Sequence, residues 1–172
     1  VYSRKIETAE KFVEQYQGVK LFDQLNDFFK DSFDVVYIAS PNSLHFSQAK
    51  MALSAGKHVI LENPPVTQPQ EWQDLVQTAK KHQCFIFEAA RNYHEDAFAT
   101  IKDFLANKQI LGADFNYAKY SSKMPNLLAG DTPNVFSDRF AGGALMDLGI
   151  YPLYASIRLF GKPHDANLSL IH

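Results

Sequence analysis

The chain has 172 residues, a formal net charge of -2 and 46% hydrophobic residues. This composition supports a buried core and excludes a largely disordered chain. Because the charge is near neutral and no long basic run occurs, nucleic-acid binding has no electrostatic basis. No stretch of about 18 apolar residues occurs, so we expect no membrane span. Cys84 is the single cysteine, which excludes an intrachain disulfide and agrees with a reducing, cytoplasmic location.

Short apolar runs alternate with helical patterns over the first ninety residues. The pattern predicts helices at 6–17, 24–29, 43–55 and from 67 to about 80. It predicts strands at 19–22, 34–39, 58–61 and 84–87. Strands separated by helices in this way indicate βαβ units and a parallel sheet with right-handed crossovers. The run at 34–39 is continuously apolar, which is typical of a strand buried on both faces.

The pattern changes after residue 90. A helix is predicted around 97–105, and the alternating run at 113–120 predicts a strand with one covered face. A polar loop follows at 121–138, and 142–160 is predicted to be mostly helical. We therefore predict an α/β domain at 1–90 and a second, α+β domain at 91–172.

Both ends of the sequence suggest that the chain is a fragment. No glycine-rich strand-to-helix turn precedes Val1, and 167–171 looks like an unfinished strand. A sheet without its first phosphate-binding strand exposes an edge. We therefore expect the complete protein to be longer at both ends.

Ser3 and Arg4 lie where a strand would end near the adenosine ribose of a bound dinucleotide. Ligands of doubly wound sheets bind at the carboxyl ends of the strands. A hydroxyl beside a guanidinium suits a 2′-phosphate, through charge-assisted hydrogen bonds. A solvated loop arginine explains the same residues, so NADP binding and a plain loop both stay open.

Three further segments directly follow predicted strands, at 40–43, 62–65 and 88–91. In the first, Pro41 fixes one φ angle and Asn42 caps the next helix, or the same turn holds the ribose and nicotinamide of a cofactor. His45 then faces the cleft, although a lone helical histidine is more often solvated or packed. The residues predicted to bind the cofactor are Ser3, Arg4, Ser40, Pro41, Asn42, His45, Glu62 and Arg91.

A polar motif lies within the apolar segment 142–154. Gly142 and Gly143 allow a close backbone approach or start a helix. Asp147, Tyr151 and Tyr154 recur at helical spacing and project from one face. Such groups are costly to bury unless they are paired. They form either a polar site or a helix-terminal acid with two core tyrosines. A proline at 152 must kink or restart the helix.

These motifs resemble those of the glucose–fructose oxidoreductase/inositol dehydrogenase family, Gfo/Idh/MocA. The matching segments are Ser40-Pro41-Asn42 with His45, Ala55-Gly56-Lys57-His58-Val59, Glu62-Asn63-Pro64, and Gly142-Gly143 with Asp147, Gly149 and Tyr151. The resemblance implies a Rossmann domain that binds NADP by preference, or NAD. It also implies a second domain whose open antiparallel sheet forms the interface of a homodimer or higher homo-oligomer.

The resemblance further implies reversible oxidation of a small sugar, polyol or related alcohol. The family's Glu-Lys-Pro lysine, the acid/base group, is Asn63 here, and Tyr151 stands where many relatives carry histidine. We expect Asn63, Asp147 and Tyr151 to form the catalytic set, with no metal. Asparagine cannot exchange a proton as lysine does, so a protein that binds cofactor and sugar without chemistry is the alternative. A structural subunit that only dimerises is a third.

Overall fold

The computed structural model describes residues 1–167, so the predicted strand at 167–171 falls almost wholly outside the described residues. The chain forms two compact units. The first comprises 1–39, 45–61 and 68–87, and the second comprises 40–44, 62–67 and the chain from 88 onward. Within the described residues, none of the helices is both long and apolar enough to cross a membrane.

A parallel sheet organises the first ninety residues, as the sequence predicts. Its strands are β1 (Val35–Ile38), β2 (His58–Leu61) and β3 (Ile86–Glu88), in the order β1-β2-β3. In the parallel pair β1–β2, Val36 lies opposite Val59. The accompanying helices are α1 (Ile6–Val13), α2 (Leu25–Lys30), α3 (Asn42–Ser54) and α4 (Pro69–Lys81). The helices between successive strands make the crossovers that parallel pairing requires.

The sheet of the first unit is buried on one face only, so the expectation of two-sided burial at 34–39 is wrong. Val36 and Val59 are buried, whereas Val35, Tyr37 and Phe85 are 51%, 55% and 65% exposed. Alternate residues of a strand point to opposite faces. The second face is open because no helix within the described residues covers it, even though its side chains are apolar.

The segment before β2 is held by Lys57. Gly56 ends α3 with φ 75°, a left-handed conformation that favours glycine. The Lys57 ammonium then donates to the backbone oxygens of Asp31 (2.8 Å) and Phe33 (2.7 Å). It also lies 4.6 Å from the centre of the Phe33 ring. This lysine therefore anchors the end of α2 to the start of β2.

The first residues pair with the chain near Phe22. Tyr2 and Phe22 form an isolated parallel bridge, and the Ser3 N–H donates to the Phe22 oxygen at 3.1 Å. The strand predicted at 19–22 is thus reduced to one bridge, and α1 ends at Val13 instead of residue 17. The bridge nevertheless places Ser3 directly after an extended segment, as the sequence predicts.

The second unit contains short helices joined by loops. They are a 3₁₀ turn at Arg91–His94, α5 (Ala97–Leu105), α6 (Met124–Leu128), two 3₁₀ turns at Asn134–Phe136 and Asp138–Phe140, α7 (Ala144–Asp147) and α8 (Ile150–Phe160). The strand predicted at 113–120 does not form: among the described residues this segment has no pairing strand. A strand needs such a neighbour for its backbone hydrogen bonds, and side-chain alternation alone cannot supply one.

The helical segment predicted at 142–160 is divided in two. Helix α7 ends at Asp147, and α8 restarts at Ile150 with Pro152 in its first turn. Proline fits there because the first N–H groups of a helix have no partner within the helix. The restart places Asp147 at the end of one helix and Tyr151 at the start of the next.

Candidate active site

Tyr151 is the centre of a polar group in the second unit. Burial raises the pKa of its phenol above the usual value, and Tyr117 is the next largest cause. The carboxyl groups of Asp147 and Glu62 raise the same pKa further, whereas the Arg91 guanidinium lowers it. Three residues predicted from separate sequence segments thus lie within electrostatic range of the phenol. A tyrosine phenol already carries its proton at neutral pH, and the raised pKa keeps it protonated over a wider pH range.

Asn63 is held by the main chain around it. Its side-chain amide donates to the Ala89 oxygen at 3.3 Å, and its backbone N–H donates to Oε2 of Glu62 at 3.2 Å. The Asn63–Pro64 peptide bond is cis. The amide can hydrogen-bond a hydroxyl but cannot take up or release a proton as lysine does. Asn63 is therefore suited to orienting a substrate.

The turn at 40–42 and the glycine motif meet within the second unit. The Asn42 amide donates to the Ala141 oxygen at 2.9 Å. At Gly142, an added Cβ would lie 2.6 Å from the backbone oxygens of Asn134 and Val135, closer than real contacts allow. This explains the first glycine as a close-approach residue, one of the two alternatives that the sequence leaves open.

Asp147 is positioned by the turn that the second glycine makes. Gly143 has φ 115°, and its N–H donates to the Val135 oxygen at 2.8 Å. Its own oxygen accepts the Asp147 N–H at 3.0 Å, which closes the single turn of α7. The Asp147 side chain is exposed. Its carboxylate is therefore accessible to a ligand hydroxyl.

Glu88 and Tyr154 form a pair that sequence reasoning missed. The Tyr154 hydroxyl and the Glu88 carboxyl group are close enough for a hydrogen bond between them to shift both pKa values. Burial raises the pKa of Glu88, and the hydrogen bond partly opposes this rise; burial and Glu88 both raise the pKa of Tyr154. Tyr93 packs edge-on against Tyr154, with ring centres 5.8 Å apart. The sequence signals were weak: Glu88 directly follows the strand predicted at 84–87, and Tyr154 lies one helical turn after Tyr151.

The other predicted cofactor residues differ in accessibility. In the first unit, Arg4 is exposed and the Ser3 hydroxyl accepts the Lys5 N–H at 3.4 Å, whereas His45 is only 1% exposed. In the second unit, Ser40 and Pro41 are half-buried. Their part in cofactor binding stays a prediction. Within residues 1–167, no cluster of three or more histidine, cysteine or acidic side chains could hold a metal ion.

A parallel sheet with helical crossovers and polar side chains after its strands is the architecture of dinucleotide-dependent oxidoreductases. The sequence model of the Gfo/Idh/MocA family, described as "Oxidoreductase family, NAD-binding Rossmann fold", matches residues 1–90. The chain belongs to this oxidoreductase family. The resemblance seen in the sequence is thereby confirmed, as is the Rossmann-type parallel sheet.

Curated relatives have related names. The chain is 37% identical over 165 residues to "Uncharacterized oxidoreductase YgjR" of Escherichia coli strain K12, covering 95% of this chain and 50% of the relative. It is 34% identical to "scyllo-inositol 2-dehydrogenase (NADP(+)) IolU" of Bacillus subtilis strain 168, covering 96% and 51%. The chain thus spans about half the length of these two relatives.

A solved structure supports the fold. KijD10, a 3-ketoreductase from Actinomadura kijaniata in complex with NADP and TDP-benzene, is 26% identical and superimposes with a TM-score of 0.77. The match covers 93% of this chain and 48% of that one. It extends beyond the residues matched by the family model, so the second unit also resembles the corresponding part of that protein.

Proposed function

We propose that the protein is an NADP-preferring oxidoreductase that transfers a hydride between a nicotinamide cofactor and a small sugar, polyol or related alcohol. The observation that carries the proposal is the half-buried Tyr151 phenol, which has Asp147, Glu62 and Arg91 within electrostatic range. An acid beside hydroxyl-binding groups is what reduction of a sugar carbonyl requires. Relatives named scyllo-inositol 2-dehydrogenase (NADP(+)) and D-xylose 1-dehydrogenase (NADP(+)) support the substrate class.

Three side chains share the work on the substrate. Tyr151 donates a proton to the carbonyl oxygen during reduction, whereas oxidation needs its phenolate and is favoured only at alkaline pH. Asp147, being exposed, accepts a hydrogen bond from a substrate hydroxyl. Asn63 binds a second hydroxyl, while its tie to the Ala89 oxygen holds the amide in place. When bound, the cofactor supplies or accepts the hydride.

The donor groups in the chain fit a phosphorylated dinucleotide. Arg4 is exposed and follows the half-exposed Ser3 hydroxyl, which matches the charge and hydrogen-bonding needs of a 2′-phosphate. The ribose and nicotinamide would be held by the remaining predicted residues of the second unit, which are Ser40, Pro41, Asn42, Glu62 and Arg91, whereas the His45 side chain is buried in the first unit. NAD is the alternative cofactor.

The wider organisation of the protein is also part of the proposal. We place the domain boundary at residue 90, where the family match ends. In the second domain of the whole protein, an open antiparallel sheet would form the interface of a homo-oligomer. The single cysteine, Cys84, supports a reducing, cytoplasmic location.

The rival function is binding of cofactor and sugar without chemistry. Asn63 favours it, because losing a general acid/base group costs about 10²–10⁴ in rate. Tyr151 favours the enzyme, because it keeps a proton donor at the site.

The experiment that separates these functions measures NADPH consumption by the whole protein with a panel of carbonyl sugars, alongside NADPH binding by fluorescence. Saturable turnover supports the enzyme. NADPH binding without turnover of any sugar supports the rival, and the absence of cofactor binding contradicts both.

A further inference from the structure

Tyr117 stacks on the phenol ring that the proposed reaction uses. The ring centres of Tyr117 and Tyr151 are 4.4 Å apart, and their planes are inclined by 23°. Tyr151 stands in the first turn of α8 (Ile150–Phe160), where its own helix leaves more than one side-chain rotamer open. A ring lying flat against it selects one of them, because any other rotamer loses the stack.

A second ring contact holds Tyr117 in place. Phe115 packs edge-on against Phe160, at the far end of α8, with ring centres 6.1 Å apart. Phe115 and Tyr117 are two residues apart, and their rings contact opposite ends of α8. The segment is therefore fixed by aromatic contacts although it forms no strand pairing within the described residues.

We propose that Tyr117 is a positioning residue that holds the Tyr151 phenol in the orientation needed for proton transfer. The inference rests on the proposed function and extends it to a residue outside the predicted catalytic set. Tyr117 is 45% exposed, so it covers one side of the Tyr151 ring and remains accessible itself. The charged groups near the phenol on other segments are Asp147, Glu62 and Arg91, and a substitution at Tyr117 removes none of them.

The first test needs no activity. In the whole protein labelled with carbon-13 at the tyrosine Cζ, Tyr151→Phe identifies the Tyr151 signal, which is then titrated with alkali. Tyr117→Leu should lower the pKa of Tyr151, because Tyr117 is among the causes that raise it. Tyr117→Phe removes the same ionisable phenol, so it should lower the pKa of Tyr151 as well, but it should retain the ring-current shift that Tyr117→Leu loses. Tyr120→Leu is the matched control, because Tyr120 is 73% exposed.

The second test measures kcat and KM for NADPH consumption. Tyr117→Leu should lower kcat about two- to tenfold, the rate equivalent of one aromatic pair, and should leave the KM for NADPH unchanged. In the pH profile of kcat for Tyr117→Leu, the fall in rate at alkaline pH should begin at a lower pH than in wild type. Tyr120→Leu should behave as wild type, and Tyr117→Phe should keep the wild-type kcat although its pH profile shifts with that of Tyr117→Leu. Should Tyr117→Leu fail to fold, Tyr117→Met serves as the second variant.

The outcomes separate this inference from the function on which it rests. An unchanged ring-current shift of Tyr151 in Tyr117→Leu overturns the inference, as does unchanged kcat in an active protein. If the wild-type protein turns over no sugar but Tyr117→Leu loses the ring-current shift that Tyr117→Phe retains, the enzyme function fails and the positioning contact is supported.

Discussion

Replacing Asn63 by lysine tests which group moves the proton. The change removes the hydrogen bond from the Asn63 amide to the Ala89 oxygen, whose length is 3.3 Å, at a cost of about 0.5–1.5 kcal/mol. It introduces an ammonium next to the Glu62 carboxylate, which already accepts the backbone N–H of residue 63. The opposite charge favours the protonated lysine. We therefore expect the variant to fold and to offer a second proton donor.

The expected gain in turnover is much larger than the cost in stability. A positioned acid/base group contributes about 10²–10⁴ in rate, so Asn63→Lys should raise kcat with a carbonyl sugar tenfold or more. The assay follows NADPH consumption by the whole protein across a pH series, where the lysine should add a new ionisation. Asn63→Met is the matched control, because methionine is a similarly long, unbranched side chain with no titratable group.

Two results would refute this reasoning. If the natural protein is already fast and Asn63→Lys slows it, Tyr151 or another group moves the proton and the family's lysine role does not transfer. If Asn63→Met gains as much as Asn63→Lys, removal of the amide explains the effect and proton exchange does not.

Three further substitutions test other parts of the site. Tyr151→Phe should lower kcat by about 10²–10⁴ and leave the Kd for NADPH unchanged, and equal activity would exclude Tyr151 as the proton donor. Arg4→Ala should weaken NADPH binding by about 1.5–3 kcal/mol and spare NADH, as measured by nucleotide fluorescence, and equal losses for both cofactors would contradict the 2′-phosphate contact. Glu88→Gln tests the pair with Tyr154. The folded-state pKa of Glu88 is raised above 4.5, so its stabilising contribution is fully present below 4.5 and is lost as pH rises through the raised value. Urea unfolding should therefore show little difference at acid pH and a more stable glutamine variant at neutral pH, and the reverse order would contradict burial as the cause.

The sheet could be predicted from sequence because its signals are local. The apolar runs that form β1, β2 and β3 are separated by helices of suitable length, so parallel pairing follows from the pattern. Cover is not local. The same apolar run at 34–39 suits a strand buried on one face or on both, and only the structure shows that Val35 and Tyr37 are exposed.

In the second unit, too, the sequence pattern indicates which side chains make contacts but does not indicate their partners. Alternation at 113–120 correctly indicates one contacting face, because Phe115 and Tyr117 meet α8, but it wrongly predicts a strand. The pairing of Glu88 with Tyr154 joins residues far apart in the chain, and neither residue alone signals its partner. Polar residues after strands were predictable; the contacts that orient them were not.

Lys57 stabilises the fold, whereas we propose that Asn63 contacts the substrate. The Lys57 ammonium binds the backbone oxygens of Asp31 and Phe33 in the first unit, whereas Asn63 belongs to the second. The two positions share no hydrogen-bond partner among these contacts, so their substitutions should be energetically additive. The residue at 63 can therefore vary without disturbing this anchor, so the side chain that we propose to test for proton transfer can change while the sheet stays intact.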